Sequence, residues 1–572
     1  MNLENIKTFF TTLLSFDDKY PLLFTQFYFW AFFAIVFAGF AILRNKILLR
    51  NTYLFFISLF FYYKTSGLFV ILLIFTTLVC FTTGRAIDKS VRNFSRKFFL
   101  FLGITLNLLV LFYFKYAYFF TEVYNSIMHT EIPVINYLAQ WTNEFSGKEI
   151  FDASKILLPV GISFYTFQSI SYIIDVYRKK ITHIPNILNF GFYVSFFPGL
   201  VAGPIIRASQ FMPQLYKKYF LTKRQFGIAI FWILNGLLKK IIMSDYLAVN
   251  FVDRVFDNPD LFTAFENLAA LFCYSLQVYA DFSGYTDIAI GVAMLMGFYL
   301  PQNFNSPYKA TNPGAFWKRW HISLSTWLKD YLYIPLGGNR KGKFRTQVNL
   351  MTTMLLGGLW HGASWNFVIW GGLNGIGILL YKWWRNVKKL PRAITSAIIF
   401  AVFIVLQYYY ARPIFMIGVV WSGTFFFGTF VDWIHRNCFK LKPIPWLERG
   451  WSIFLTFIFI SFTRLFFRSG SNLDPAEANA TAWNTAKKMV GQIGGTWNLE
   501  AIPDIISTYA SVFILFVVGM IIHWLPAKWK QWYRIQFAYL PVWVMLLICV
   551  AVVFVVYQFV TAEMQPFIYF QF

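Results

Sequence analysis

The sequence predicts an all-α, polytopic membrane protein, and three observations support this fold class. Of the 572 residues, 58% are hydrophobic and only 13% are charged, whereas soluble chains carry about 25% charged residues. Apolar runs long enough to cross a bilayer alternate with charged loops. Tryptophan and tyrosine are frequent, as they are in the aromatic belts of membrane interfaces. We therefore expect about 11 to 13 transmembrane or re-entrant helices.

The excess of basic residues fits this class without a nucleic-acid partner. The formal net charge is +25, and cytoplasmic loops of membrane proteins concentrate lysine and arginine. The four cysteines are far apart and form no CxxC pair, so we expect neither a disulfide framework nor a metal site. The mixed charge of the first residues is unlike that of a cleavable signal peptide.

Residues 1–150 are predicted to form N-terminal transmembrane helices. A span covers Phe27 to Leu43, a hairpin covers Tyr53 to Thr83 with its turn at Lys64 to Gly67, and another span covers Phe98 to Phe120. The loop from Thr121 to Lys155 has five acidic and two basic residues. Since basic loops face the cytoplasm, we expect this acidic loop to face outward.

Residues 151–381 are predicted to form the core of the protein. Prolines and glycines break the segment Phe190 to Ile206, which is typical of a re-entrant or kinked segment. The stretch Pro301 to Arg345 has eight basic residues and one acidic residue, so we expect it to be cytoplasmic. The other predicted spans of this part cover Ile156 to Tyr177, Gln225 to Ile242 and Leu268 to Leu300.

The central feature of this core is the run from Thr346 to Tyr381. It contains no Asp, Glu, Lys or Arg, and it holds seven glycines and a single titratable side chain, His361. Basic loops flank both ends, so we expect the run to enter and leave the membrane on the same side. A titratable residue at membrane depth is a functional-site hypothesis. A neutral imidazole there can accept a proton from a hydroxyl group, which is the work of a general base.

Residues 382–560 are predicted to form C-terminal transmembrane helices with an outer, periplasmic loop at 469–504. That loop has four acidic and two basic residues. The aromatic tail, residues 561–572, is also placed outside by this count. It is either an interfacial anchor or a segment that folds back and presents the hydroxyl group of Tyr569.

His321 is a second candidate. Asn312 and Pro313 form a good helix start, and aromatic and leucine residues then recur at helical spacing through His321. The segment is therefore expected to be an amphipathic helix at the cytoplasmic interface. The following basic residues, including Arg340 and Lys341, could bind phosphates of a soluble donor or simply mark a cytoplasmic loop.

Asp281 and Asp287 form a third constellation, six residues apart within an apolar run. Carboxylates at that depth need partners. They could orient a histidine or bind a basic residue such as Arg207, and a purely structural ion pair is an equal alternative.

An ordered series of motifs resembles the membrane-bound O-acyltransferase (MBOAT) superfamily, and within it the alginate O-acetyltransferase branch. The resemblance covers residues 159–375 densely. Its motifs are PVGISFYTFQ from Pro159, FPGLVAGPIIR from Phe197, YADFSGYTD from Tyr279, PQNFNSPY from Pro301, the helix with His321, YLYIPLGGNR from Tyr331, and LWHG from Leu359.

The resemblance implies a pore-like fold whose central tunnel runs from cytoplasm to exterior past the histidine. His361 would be the superfamily's near-invariant histidine, and His321 its second polar site. By likeness to the aromatic tail of a D-alanyl transfer partner, Tyr569 would relay the acyl group at the outer end of a path that begins at His361. The supporting or donor-binding residues would be Asp281, Asp287, Arg207, Trp360, Ser323, Asn305, Arg340 and Lys341.

The resulting hypothesis is an O-acyltransferase of a bacterial inner membrane, with its C-terminus in the periplasm. It would take acetyl groups from cytoplasmic acetyl-CoA or another acyl thioester, without a bound cofactor. An esterase-like periplasmic acetyltransferase would then acetylate an exported, alginate-like polysaccharide. The sequence lacks the Gly-x-Ser-x-Gly motif that carries the nucleophilic serine of α/β-hydrolases, so we do not expect a serine-hydrolase mechanism within this chain. The alternatives are a transporter or flippase of polysaccharide or lipid-linked precursors and, among enzymes, a D-alanyl transfer protein.

Overall fold

The computed structural model describes residues 22–149, 151–201, 203–469 and 478–560, and all regular structure in these ranges is helical. The predicted all-α fold class is confirmed. Seven described helices are long and apolar enough to cross a membrane. An eighth span is present if Ile502–Thr508 and Ala510–Trp524, which meet at an angle of 83°, are counted together.

The chain forms two compact units, each assembled from separate stretches. The first unit comprises the described parts of residues 1–237, 284–302 and 531–554, and the second comprises those of 238–283, 303–530 and 555–572. The division into four consecutive parts that the sequence suggests stays a prediction.

The first unit has a core of aromatic side chains. Phe24 stacks on Tyr285 with ring centroids 4.5 Å apart, and Phe29 lies 4.6 Å from Phe24. The buried guanidinium of Arg50 donates to the carbonyl oxygen of Leu215. Its helices are Phe27–Leu43, Ile47–Ser66, Val70–Lys89, Asn93–Leu111, Ala117–Met128, Tyr137–Ser146, Ile162–Tyr177, Ile187–Ser195, Phe197–Leu200, Ala208–Leu215 and Lys223–Leu237, with a short π-helical segment at Phe112–Tyr116.

The second unit contains most of the residues singled out in the sequence. Its helices are Asp253–Asp257, Pro313–Trp317, Ile322–Leu328, Gly342–His361, Trp365–Trp384, Lys389–Tyr410, Pro413–Trp433, Pro445–Ser469, Ala478–Ile493, Ile502–Thr508 and Ala510–Trp524. Segments of π-helix lie at Leu238–Asp245, Ala248–Val252, Lys329–Tyr333 and Ile434–Cys438, and 3₁₀ turns lie at Gly67–Phe69 (in the first unit), Pro259–Leu261 and Pro307–Lys309. Three helices, Ala264–Leu295, Ala527–Tyr539 and Val542–Phe559, contribute to both units.

Some predicted apolar segments are core helices, which explains why the apolar segments outnumber the long spanning helices. Ile162–Tyr177 is buried along almost its whole length. Ile187–Ser195 has only nine residues, begins at an Asn186 side chain that accepts from the amides of Leu188 and Asn189, and is also buried. Apolar composition alone does not distinguish a helix that contacts lipid from one that contacts protein.

Candidate active site

The charge-free run around His361 folds into a helical hairpin in the second unit. Its arms, Gly342–His361 and Trp365–Trp384, have 20 residues each. The arms approach so closely at Gly358 that a methyl group on this residue would overlap the carbonyl oxygen of Phe367. The two arms are antiparallel, but neither is among the seven described helices long and apolar enough to cross a membrane. That the run enters and leaves on one side stays a prediction.

His361 is the last residue of the first arm, far from the basic residues that precede that arm. A helix of this length measures about 30 Å along its axis. Arg340 and Lys341 are exposed at its other end. They therefore cannot contact the same reacting atoms as His361, and a donor-binding role for them stays a prediction.

The imidazole of His361 is buried among aromatic rings. Its ring centroid lies 4.9 Å from that of Trp370 and 5.4 Å from that of Phe467, both nearly perpendicular. Trp360, its neighbour in sequence, lies 4.9 Å away. A closed apolar surrounding of this kind keeps water from competing for a reactive group.

His321 lies at a break that the sequence does not predict. The aromatic spacing predicts one helix through this residue, but His321 has a φ of 42°, and it separates Pro313–Trp317 from Ile322–Leu328. A left-handed conformation at a residue other than glycine costs on the order of 1 kcal/mol and persists only where its surroundings fix it. Here Asn303 fixes it, because its carbonyl oxygen and side-chain oxygen accept from the amides of Ile322 and Ser323 at 2.9 and 3.0 Å.

The break brings the two candidate histidines together. The ring centroids of His321 and His361 are 6.4 Å apart, and Trp360 lies 5.9 Å from His321. The ring of Phe282 covers His321 at 4.7 Å. Burial lowers the pKa of His321 to about 3, so this imidazole is neutral at physiological pH. A neutral imidazole has one N–H donor and one acceptor.

Arg464 is a residue of this site that the sequence analysis missed. It lies five residues before the end of Pro445–Ser469, is only 1% exposed, and places its guanidinium 4.0 Å from the ring centroid of Trp320. It also lies 5.6 Å from the ring of Phe467, which in turn contacts His361. An arginine within an apolar run satisfies the same criterion that singled out His361, so the signal was present in the sequence.

Asp281 contacts a basic residue, but not the one considered in the sequence. The ammonium group of Lys240 lies 2.7 Å from a carboxylate oxygen of Asp281 and 2.7 Å from one of Asp245. All three side chains are buried. The arrangement favours the structural alternative for Asp281, since its carboxylate forms a buried ion pair with Lys240.

The remaining candidates lie in several other stretches of the chain. Asp287 belongs to the first unit, where the side-chain amide of Asn235 donates to it at 2.7 Å, and Arg207 precedes the helix Ala208–Leu215 in the same unit. The amide of Asn305 donates to the carbonyl oxygen of Arg319. Tyr569 lies outside the described residues. In the part of the chain that the structure describes, no cluster of three or more His, Cys, Asp or Glu residues could hold a metal ion.

This arrangement suits the transfer of a group that develops negative charge. Two imidazoles can exchange protons with a substrate, and a buried guanidinium favours negative charge nearby. Aromatic walls lower the local dielectric and so strengthen both effects.

Comparison with known proteins points to one chemistry. The profile of the MBOAT, membrane-bound O-acyltransferase family, matches residues 177–421. The chain is 38% identical over 403 residues to the "Probable alginate O-acetylase AlgI" of Azotobacter vinelandii, a match that covers 70% of this chain and 75% of the relative.

Two further relatives widen the range of acceptors. The peptidoglycan O-acetyltransferase of Helicobacter pylori is 34% identical over 408 residues, covering 66% of this chain and 74% of that protein. The teichoic acid D-alanyltransferase of Bacillus subtilis is 28% identical over 250 residues, covering 41% of this chain and 62% of that protein.

Proposed function

Because the chain belongs to the membrane-bound O-acyltransferase family and is a multi-pass O-acyltransferase, we propose that it moves acetyl groups from a cytoplasmic thioester donor across a bacterial inner membrane. The acceptor is an exported polysaccharide, reached through a periplasmic acetyltransferase partner. The relatives named for alginate and peptidoglycan O-acetylation support the acetyl group. The charge distribution of the loops supports a cytoplasmic donor and a periplasmic acceptor.

The observation that carries this proposal is the buried pair of histidines, whose ring centroids lie 6.4 Å apart. His361 acts as the general base and removes the proton of the attacking hydroxyl. The hydroxyl oxygen bonds to the thioester carbonyl carbon, the carbon–sulfur bond breaks, and the proton passes from His361 to the leaving thiolate. General base catalysis of this kind contributes about 10² to 10⁴-fold in rate.

Negative charge develops on the carbonyl oxygen as the hydroxyl attacks. The neutral imidazole of His321 donates to that oxygen, and the cation of Arg464 stabilises it through the low-dielectric aromatic surroundings. The strained backbone at His321 supports this role, because backbone strain clusters where a side chain is held in position for function.

The attacking hydroxyl belongs either to an acceptor or to Tyr569. In the second case the tyrosine carries the acetyl group as an ester to the outer side. Tyr569→Phe separates the two possibilities, since it keeps the aromatic ring and removes only the hydroxyl. We expect this variant to lose polymer acetylation in cells while its membrane level is unchanged, as measured by immunoblotting and by acetyl content of the secreted polymer. Unchanged acetyl content would rule out the relay.

The central test is His361→Gln, measured as transfer of radiolabel from [¹⁴C]acetyl-CoA to polymer in membrane vesicles. We expect a fall of about 10² to 10⁴-fold, as for the loss of a general base. His435→Gln is the matched control, because it makes the same chemical change in the half-buried segment Ile434–Cys438. Full transfer by His361→Gln would exclude the assignment.

The same vesicles distinguish D-alanyl transfer, for which the 28% identity to the Bacillus subtilis protein is the support. A chain of that type would label polymer from a D-alanyl thioester and not from acetyl-CoA.

A further inference from the structure

A second polar site in the second unit is built from lysines that surround a buried histidine. His523 is 2% exposed and lies in the last turn of the helix Ala510–Trp524. Its ring contacts those of Tyr279 and Tyr308 at 4.6 and 5.2 Å. Lys530 lies seven residues later, in the helix Ala527–Tyr539, and its ammonium group donates to the carbonyl oxygen of His523 at 2.8 Å.

The hydrogen bonds of His523 fix its tautomer. The backbone amide of Tyr308 lies 3.2 Å from Nε2 of His523. A backbone N–H can only donate, so Nε2 accepts and Nδ1 carries the proton. Nδ1 is buried and has no hydrogen-bond partner within the described residues. The site therefore holds a buried N–H donor for which the described protein supplies no acceptor, an arrangement that is costly unless a ligand accepts the hydrogen bond.

Two of the lysines around this histidine, Lys309 and Lys530, donate to neutral oxygen atoms. Lys309 donates to the carbonyl oxygen of Leu525 at 2.6 Å, and Lys530 donates to the hydroxyl of Ser306 at 3.0 Å. Lys239 lies 5.7 Å from the ring centroid of Tyr279, which packs against His523.

The charges nearest these lysines are also positive. Burial and then the charges of Lys309 and Lys239 lower the pKa of Lys530 to about 8. Burial, Arg319 and Arg449 lower the pKa of Lys309. Lys309 and Lys530 therefore lie in a region of positive potential, which a bound anion would neutralise.

We propose that Lys309, Lys530 and the Nδ1–H of His523 form a binding site for a phosphate group. Phosphate offers several acceptor oxygens and more than one negative charge, which matches ammonium groups and a ring N–H in one place. Two sources share this chemistry, namely the phosphates of a thioester donor such as CoA and the head group of an anionic phospholipid. The donor source rests on the proposed function, whereas the lipid source does not.

Ring contacts link this phosphate site to the histidine pair. The ring centroids of Tyr308 and Trp320 are 6.4 Å apart. The guanidinium group of Arg464 lies 4.0 Å from the ring centroid of Trp320. Phe467 continues the chain from Arg464 to His361. The two sites are therefore connected through contacting aromatic side chains.

The test uses the full-length protein in phosphatidylcholine nanodiscs, with CoA as the first probe and phosphatidylglycerol in the nanodisc as the second. CoA binding is measured by calorimetry in Lys309→Met and Lys530→Met, and bound phosphatidylglycerol is measured by native mass spectrometry. Lys530→Arg keeps the charge, and Lys442→Met removes an exposed lysine of a different basic loop. Thermal unfolding of each variant shows that it is folded.

If CoA occupies the site, we expect each methionine variant to bind it about tenfold more weakly, as for the loss of one charged hydrogen bond. Lys530→Arg and Lys442→Met should bind it like the unmodified chain. If CoA affinity is unchanged and both methionine variants lose bound phosphatidylglycerol, the phosphate site stands with a lipid as its ligand. Unchanged binding of both probes in both variants would overturn the proposal. The assay involves no acyl transfer, so its failure is separate from a failure of the His361→Gln test.

Discussion

Arg464 and Arg468 lie one helical turn apart on Pro445–Ser469, yet their guanidinium groups have different kinds of neighbour. Arg468 donates to a carboxylate oxygen of Asp253 at 2.8 Å, and Asp257 lies 4.0 Å away. Arg464 instead lies over the ring of Trp320, and its Nε and Nη1 atoms have no hydrogen-bond acceptor in the part of the chain that the structure describes.

The difference separates structural charges from charges that can act on a substrate. A buried cation with a carboxylate partner exerts little field beyond the pair. Lys240, between Asp245 and Asp281, is a second example of such neutralisation. Arg464 keeps its positive charge beside the aromatic surroundings of His361, so its field is available to a developing oxyanion.

Arg464→Met breaks this comparison most directly. It removes the charge and keeps much of the apolar volume, so we expect the chain to fold and its acetyl transfer to fall by about 10² to 10³-fold, as for the loss of one oxyanion-stabilising group. The measurement is the initial rate of [¹⁴C]acetyl transfer in vesicles, with thermal unfolding of the purified variant alongside. A variant with normal transfer would place Arg464 among the structural charges. Arg464→Lys should recover part of the rate, because it restores a cation.

Arg468 should give the opposite pattern. Asp253→Asn removes the carboxylate closest to the largely buried guanidinium of Arg468. We expect the free energy of unfolding to fall by about 3 kcal/mol. This is the lower end of the range for a broken buried ion pair, because one-fifth of the Asp253 side chain is exposed. The rate per folded molecule should stay the same. Chemical denaturation in detergent measures the first quantity, and transfer normalised to folded protein measures the second.

The double variant Asp253→Leu with Arg468→Met is the control for that prediction. The double variant removes both charges of this ion pair, so neither is left buried without its partner. It should therefore be more stable than Asp253→Asn alone. If the double variant is less stable than the single one, the loss comes from packing around the pair and not from the charge.

Sequence reasoning found the part of the site that depends on local composition. His361 was identifiable because its run contains no Asp, Glu, Lys or Arg and holds seven glycines, and Gly358 does lie where the two arms touch. The resemblance to a family singled out His321 as a second polar site but did not place it beside His361. No spacing rule gives this proximity, since a short helix, a π-helical segment, a loop and a 20-residue helix separate the two residues.

The rest of the site depends on contacts between distant parts of the chain. The aromatic spacing continues across His321 and therefore predicts a continuous helix. In the structure the helix is interrupted at His321, because the amides of the next two residues donate to Asn303. The partner of Asp281 is Lys240, 41 positions earlier, which lies in a π-helical segment whose extra residues shift the facing of each side chain.

The smallest expected effect concerns His321 and pH. Burial holds the pKa of His321 in the folded chain at about 3, below its ordinary value of 6.5. Between these values the unfolded chain binds the proton and the folded chain does not, so stability falls as pH falls below 6.5. The contribution is at most about 1.4 kcal/mol for each pH unit.

We therefore expect the unfolding temperature to drop less between pH 6.5 and 4.5 in His321→Gln than in the unmodified chain. The measurement is thermal unfolding in detergent across this range, with His435→Gln as control for the loss of a half-buried histidine. Equal slopes in the two chains would mean that His321 has the same pKa in the folded and unfolded chains. His321 would then become a second cation beside Arg464 as the pH falls below 6.5.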